Sequence, residues 1–151
     1  MNELRELYQE MILDHNKQPR NFYALPGATH VLEGYNPLCG DKLKLYLQVE
    51  NGSVRDISFE GSGCAISKAS ASMMTDAIKG QSVEAALALF EQFHAMLSGK
   101  ADAAPESLGK LKVFSGVNEF PARVKCATLA WHTLKSGLVG AHGSVTTEDE
   151  G

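Results

Sequence analysis

Over residues 2–15, Leu4, Leu7, Tyr8, Met11 and Ile12 fall on one side of a helix, and the residues between them are polar. Glu3 and Glu6 stand in its first turn, where they suit the helix dipole, and Pro19 with the Arg-Asn-Phe behind it ends the run. Residues 20–38 carry Pro26, Gly27, Gly34 and Pro37 and read mainly as loop, with a short strand near His30–Leu32. The period then changes. From Lys42 to Glu50, Leu43, Leu45, Leu47 and Val49 alternate with polar residues, which predicts a strand with one buried face. Asn51-Gly52 is a hairpin turn signal, and Val54–Glu60 returns as the partner strand with Ile57 and Phe59 inward.

From Cys64 to Lys79 the helical spacing resumes through Ala65, Ile66, Ala69, Met73, Met74, Ala77 and Ile78, and Gly80 stops it. Ser82 suits the N-cap of a further helix that runs through Val83, Ala86, Leu87, Leu89, Phe90 and Phe93 to Leu97. Residues 98–110 are small and polar and predict a surface excursion, after which Leu111–Phe114 re-enter the core. Pro121 opens a last helix to about Gly140, and residues 141–151 read as a frayed, disordered tail. A hairpin followed by a run of helices predicts an α+β fold, a small antiparallel sheet with helices packed on one face. No repeat or second domain is visible, so residues 1–140 are expected to form one domain.

Composition narrows the function classes. With 151 residues, 44% of them apolar and 21% charged, the chain can bury its own core and is not disordered. No apolar run reaches the roughly 18 residues of a membrane span. Fourteen basic against eighteen acidic residues leave a net charge of −4, so nothing suggests a nucleic-acid footprint. The charged start Met-Asn-Glu-Leu-Arg-Glu does not resemble a signal peptide, and a cytoplasmic protein without membrane attachment is expected.

The three cysteines, Cys39, Cys64 and Cys126, are too few and too scattered for a disulfide framework. Each could be a small buried hydrophobe. Their neighbourhoods favour chemistry instead. Cys39 lies in Asn36-Pro37-Leu38-Cys39-Gly40-Asp41, a turn that sets a thiol two residues from a carboxylate. Cys64 follows Gly61-Ser62-Gly63 and opens a helix, where unpaired N–H groups and the dipole favour a thiolate. The glycine turn lacks the Lys-Ser/Thr of a phosphate-binding loop. Cys126 follows Arg123 and Lys125, whose charges could tune its thiolate, although on base rates an ordinary solvated helix face is the better explanation of them. Three thiols and one carboxylate would fill a tetrahedral zinc shell. His15, His30, His94, His132 and His142 are expected at the surface or the core edge, and no Ser-His-Asp or Cys-His constellation stands out.

At these residues the chain resembles the U-type iron–sulfur assembly proteins, and within them the SufU branch. Four ordered blocks carry the resemblance: Leu-Tyr-Gln-Glu-Met-Ile-Leu-Asp-His-Asn-Lys-Gln-Pro-Arg-Asn-Phe (7–22), Asn-Pro-Leu-Cys-Gly-Asp (36–41), Gly-Ser-Gly-Cys-Ala-Ile-Ser-Lys-Ala-Ser-Ala-Ser-Met-Met (61–74) and Arg-Val-Lys-Cys-Ala-Thr-Leu-Ala-Trp (123–131). The resemblance implies an α+β domain in which Cys39, Asp41, Cys64 and Cys126 converge at one exposed end. Such a site either holds zinc while a cysteine accepts sulfur from a SufS-type cysteine desulfurase, or assembles a [2Fe–2S] cluster. The housekeeping scaffold branch carries histidine immediately before its last cysteine, where this chain has Lys125. The scaffold branch also lacks an insertion, here about 98–118. Both features favour the zinc-dependent sulfurtransferase, with Cys39 as the acceptor and possible contact with downstream SUF assembly proteins. A cluster scaffold, and a structural zinc adaptor that activates the desulfurase, are the two alternatives.

Overall fold

The computed structural model describes residues 2–37, 40–99, 106–139 and 144–146. The hairpin is built as its alternation predicts. β2 (Asp41–Glu50) buries Leu43, Leu45 and Leu47, and β3 (Ser53–Ser62) buries Val54, Ile57 and Phe59. Asn51 and Gly52 both take positive φ, 52° and 76°, the geometry of a two-residue turn whose twist matches that of the paired strands.

β1 (His30–Asn36) is longer than the expected short strand and pairs antiparallel with β2, from His30 opposite Leu47 to Asn36 opposite Asp41. Its inward positions are Leu32, Gly34 and Asn36, so a single aliphatic side chain marks the buried face and the alternation is silent. Gly34 is bare for a packing reason. A Cβ there would collide with Thr133 Oγ1 and come within 3.1 Å of Leu129. In the expected frayed tail, Ser144–Thr146 form β4, which pairs parallel with Glu33–Tyr35, and the rest of 141–151 lies outside the described residues. The sheet order is β3-β2-β1-β4, antiparallel over three strands with this short parallel addition.

The helices cover one face. α2 (Ala65–Ile78) lies against β3, and α4 (Pro121–Leu138) lies against β1 and β2. α1 (Asn2–Lys17) rests on α2, and α3 (Val83–Leu97) rests on α4. Ser82 caps α3 as expected, its hydroxyl accepting the Ala85 N–H at 3.0 Å. Trp131 is fully buried and stacks on Phe93 with centroids 4.6 Å apart. On α1, Met11 and Ile12 are half-buried against the core, while the side chains of Leu4, Leu7 and Tyr8 lie outside the description. The opposite sheet face is wet, with Glu33, Lys42 and Lys44 exposed.

Two expectations are narrowed by the packing. The surface excursion 98–110 is only partly one. Residues 100–105 lie outside the described residues, but Glu106–Glu119 fold as short 3-10 helices meeting at Gly109, whose φ of +53° favours glycine. Leu111, Val113 and Phe114 are buried as expected, and Leu108 and Val117, set among glycines and lysines, join them. His15 is not at the surface. It is 7% exposed, with Nδ1 2.7 Å from Ser72 Oγ. The Arg20 N–H donates to the same hydroxyl at 2.8 Å, Asn21 Nδ2 donates to Thr75 Oγ1 at 3.0 Å, and Phe22 meets Phe59 edge-on at 5.1 Å. The segment after α1 is thus strapped across α2 onto β3. Among the described residues, no helix is long and apolar enough to cross a membrane.

Candidate metal centre

Three of the four expected ligands meet at one end of the sheet. The ligand atoms of Asp41, Cys64 and Cys126 all lie within 4.8 Å of one another. Each comes from a different element. Asp41 is the first residue of β2 and fully buried, Cys64 is the half-buried N-cap of α2, and Cys126 is buried in the second turn of α4. Cys39 lies outside the described residues. Its chain neighbour Gly40 has φ +72°, and the Gly40 N–H donates to the Asn36 carbonyl at 2.8 Å, closing the turn that leads into Asp41.

The carboxylate is held in place by the backbone. The Cys64 N–H donates to Asp41 Oδ1 at 2.9 Å, while Cys64 Sγ is 4.0 Å from Oδ2. Gly63 lies so close that a Cβ would collide with that carboxylate, so this glycine is required by the close approach of two chain segments. The Cys64 sulfur accepts the Ser67 N–H at 3.4 Å, which makes it an N-cap acceptor. A hydrogen bond with Cys126, aided by the Ser67 and Ile66 N–H groups, lowers the Cys64 thiol from 9.0 to about 6, against burial and the Asp41 charge. A thiol so poised is largely thiolate at neutral pH.

Sequence reading missed Asn36. It is fully buried at the inward end of β1, and its Nδ2 donates to Asp41 Oδ2 at 3.2 Å and to Cys126 Sγ at 3.5 Å. The available signal was parity, because Asn36 shares the inward phase of Leu32, and an amide on a core face requires partners. The possible tuning residues are nearby in sequence on α4, Arg123 exposed and Lys125 half-buried.

The donor set fits zinc. At about 2.3 Å from a tetrahedral ion, neighbouring sulfur ligands stand some 3.8 Å apart, which suits ligand atoms gathered within 4.8 Å. Ser67 and Asn36 supply the surrounding hydrogen bonds that thiolate and carboxylate ligands need.

An α+β domain that gathers two thiols and a carboxylate from a strand start, a helix cap and a helix interior is of the thiolate metal-centre class. The chain belongs to the NifU-like N-terminal domain family, whose model matches residues 7–139. It is 44% identical over 140 residues to the zinc-dependent sulfurtransferase SufU of Bacillus subtilis, covering 93% of this chain and 95% of that protein. It is also 42% identical over 138 residues to the iron–sulfur cluster assembly scaffold protein IscU of Streptococcus pyogenes, covering 91% and 86%. A crystal structure of a candidate iron–sulfur cluster assembly scaffold protein for the SUF system, from Fervidobacterium islandicum, superposes with a TM-score of 0.81 at 37% identity. The superposition covers 85% of this chain and 94% of that one. The α+β architecture read from the pattern is therefore that of these relatives.

Proposed function

We propose that this protein serves iron–sulfur cluster biogenesis as a zinc-dependent sulfurtransferase, accepting persulfide sulfur from a SufS-type cysteine desulfurase. The observation that carries the reading is the convergence of Asp41, Cys64 and Cys126 within 4.8 Å, immediately after the Cys39 turn. Cys39, Asp41, Cys64 and Cys126 are the ligand set. Zinc would keep these thiolates deprotonated and fixed without redox chemistry of its own. Cys39 is the acceptor in this reading, because Cys64 is committed as the cap of α2 and Cys126 is buried inside α4.

In the transfer, the Cys39 thiolate attacks the outer sulfur of the donor's Cys–S–SH. A new S–S bond forms on Cys39 as the donor's S–S bond breaks, and the donor cysteine leaves as thiolate. One sulfur atom moves and no external oxidant is needed. Asp41, fixed by the Cys64 N–H and the Asn36 amide, keeps its position through the exchange. Lys125 and Arg123 add positive potential, which favours thiolate over thiol.

The similarity to a protein named as a cluster scaffold supports a second reading, assembly of a [2Fe–2S] cluster on the same residues. Elemental and acid-labile sulfide analysis of protein purified without added metal separates the two. About one zinc per chain, no sulfide and no colour are expected. Persulfide transfer from a desulfurase is then expected to fail in Cys39→Ser. Iron and sulfide with a brown chromophore would establish the scaffold reading instead, and wild-type sulfur uptake by Cys39→Ser would remove Cys39 as acceptor.

A further inference from the structure

A cavity of about 300 Å3 opens between the end of α1, the C-terminal half of α2 and the 3-10 segment Glu106–Glu119. The buried side chains of Met73, Leu108 and Leu111 give it an apolar floor, and exposed Asp76 and Lys110 set opposite charges on its rim. Among the described residues neither charge is neutralised by an ion pair. Met73 and Asp76 stand nine and twelve residues beyond Cys64, about 14 and 18 Å along α2, so the cavity is separate from the metal centre.

Buried His15 completes the wall, and its partners fix its tautomer. Ser72 Oγ accepts the Arg20 N–H at 2.8 Å and lies 2.7 Å from His15 Nδ1. With one lone pair engaged, the hydroxyl gives its hydrogen to Nδ1. The ring, which burial holds neutral, therefore carries its own hydrogen on Nε2. Nε2 has no hydrogen-bond partner among the described residues and is not one of the orphaned atoms sealed from solvent, which leaves it a donor open to the cavity. Asp76 and Lys110 are both close enough to act electrostatically on this ring.

We infer that the cavity binds a small zwitterionic α-amino acid. A carboxylate on the His15 Nε2–H and the Lys110 ammonium, with an ammonium on Asp76, engages all three polar groups with matching sign. The apolar floor is left for a short side chain. A simple anion would be repelled by Asp76 and a simple cation by Lys110, so one charge alone fits poorly. The size agrees, since about 300 Å3 is the lower end of the usual range for ligand cavities. A cysteine desulfurase consumes one such molecule, cysteine, and releases another, alanine. Resting on the function proposed above, the cavity would let this chain register that turnover at a distance from its thiolates.

Zinc-loaded protein without desulfurase, followed by methyl NMR, tests this. It is titrated separately with L-alanine and with S-methyl-L-cysteine, a substrate stand-in whose sulfur carries no thiol to compete for zinc. Saturable shifts of the Met73, Leu108 and Leu111 methyls are expected for at least one, with half-saturation at about 1 mM or below. The tighter of the two identifies product or substrate as the ligand. Propionate and ethylamine, each with one of the two charges, should bind roughly tenfold or more weakly. Lys110→Met and Asp76→Asn replace exposed side chains, so circular dichroism should be unchanged while each weakens binding by roughly tenfold or more. No saturable shift with either amino acid, binding that survives both substitutions, or propionate binding as tightly as the amino acids would each overturn the site. None of these outcomes bears on persulfide transfer, so this inference and the proposed function fail separately.

Discussion

Asn36 donates its side-chain amide to the Cys126 sulfur across 90 positions of sequence, and with the same nitrogen to Asp41. One buried amide therefore ties the end of β1 to α4 and to the first residue of β2. Removing it leaves a buried sulfur and a carboxylate short of a donor, in a place where water cannot substitute freely. Asn36→Ala is expected to fold and to lose about 10- to 100-fold in zinc affinity, the range typical of residues that orient ligands. Asn36→Asp should do worse, because it adds a like charge beside Asp41. Competition with a chromophoric chelator measures both.

Gly63 predicts a sharper separation of binding from folding. Any Cβ at this position meets the Asp41 carboxylate, and Gly63 itself is exposed, so relief requires moving the ligand rather than the core. Gly63→Ala should keep its melting temperature within a few degrees and lose at least tenfold in metal affinity. Gly34→Ala should do the reverse, since its Cβ strikes Thr133 inside the core. A cost of roughly 1–3 kcal/mol is expected there, read from the denaturant midpoint.

The metal-free Cys64 thiol, lowered to about 6 chiefly by Cys126, should alkylate at a rate that is nearly flat above pH 7 and falls below pH 6. Cys126→Ser should return the midpoint toward ordinary thiol values. Linkage gives a second readout. The folded state binds its proton more weakly than the unfolded state, whose value is 9.0. The contribution of Cys64 to stability is therefore complete above pH 9 and falls away as pH drops to about 6. Denaturant midpoints of the metal-free protein should rise across that window, and the rise should flatten in Cys64→Ser.

Burial, with Arg20 nearby, lowers the pKa of His15 below its usual 6.5. The native state holds this ring neutral, while the unfolded chain protonates it as pH falls through 6.5. Stability attached to His15 is present above that value and is lost below it. His15→Gln should blunt the loss between pH 6.5 and 5. Ser72→Ala, which removes the hydroxyl shared by His15 and Arg20, should cost about 1–3 kcal/mol at neutral pH. Chemical denaturation at several pH values tests both variants.

What the sequence could disclose follows from what each residue is for. Leu43, Leu45 and Leu47 are inward for core reasons alone, so the hairpin was legible, and Asn51-Gly52 has little use except as a turn. β1 was nearly illegible because two of its inward positions serve other ends. Gly34 makes room for α4, and Asn36 serves the ligands. Cys64 and Asp41 were visible as chemistry because a thiol after Gly-Ser-Gly and a carboxylate after a turn have few structural uses. Their convergence was not visible in the spacing, for it depends on a register that sets Asn36 opposite Asp41.

The Cys64 sulfur closes the first turn of α2 by accepting the Ser67 N–H. The sulfur that would bind the ion is thus also the bolt on a helix, and any event at the sulfur is felt by that amide. Ligation, oxidation and alkylation each withdraw electron density or sterically displace the sulfur, and each should loosen the bolt to a different degree. The Ser67 amide is consequently a built-in gauge, readable by its proton frequency and exchange rate. It should distinguish metal-loaded, metal-free and modified protein without touching the site at all.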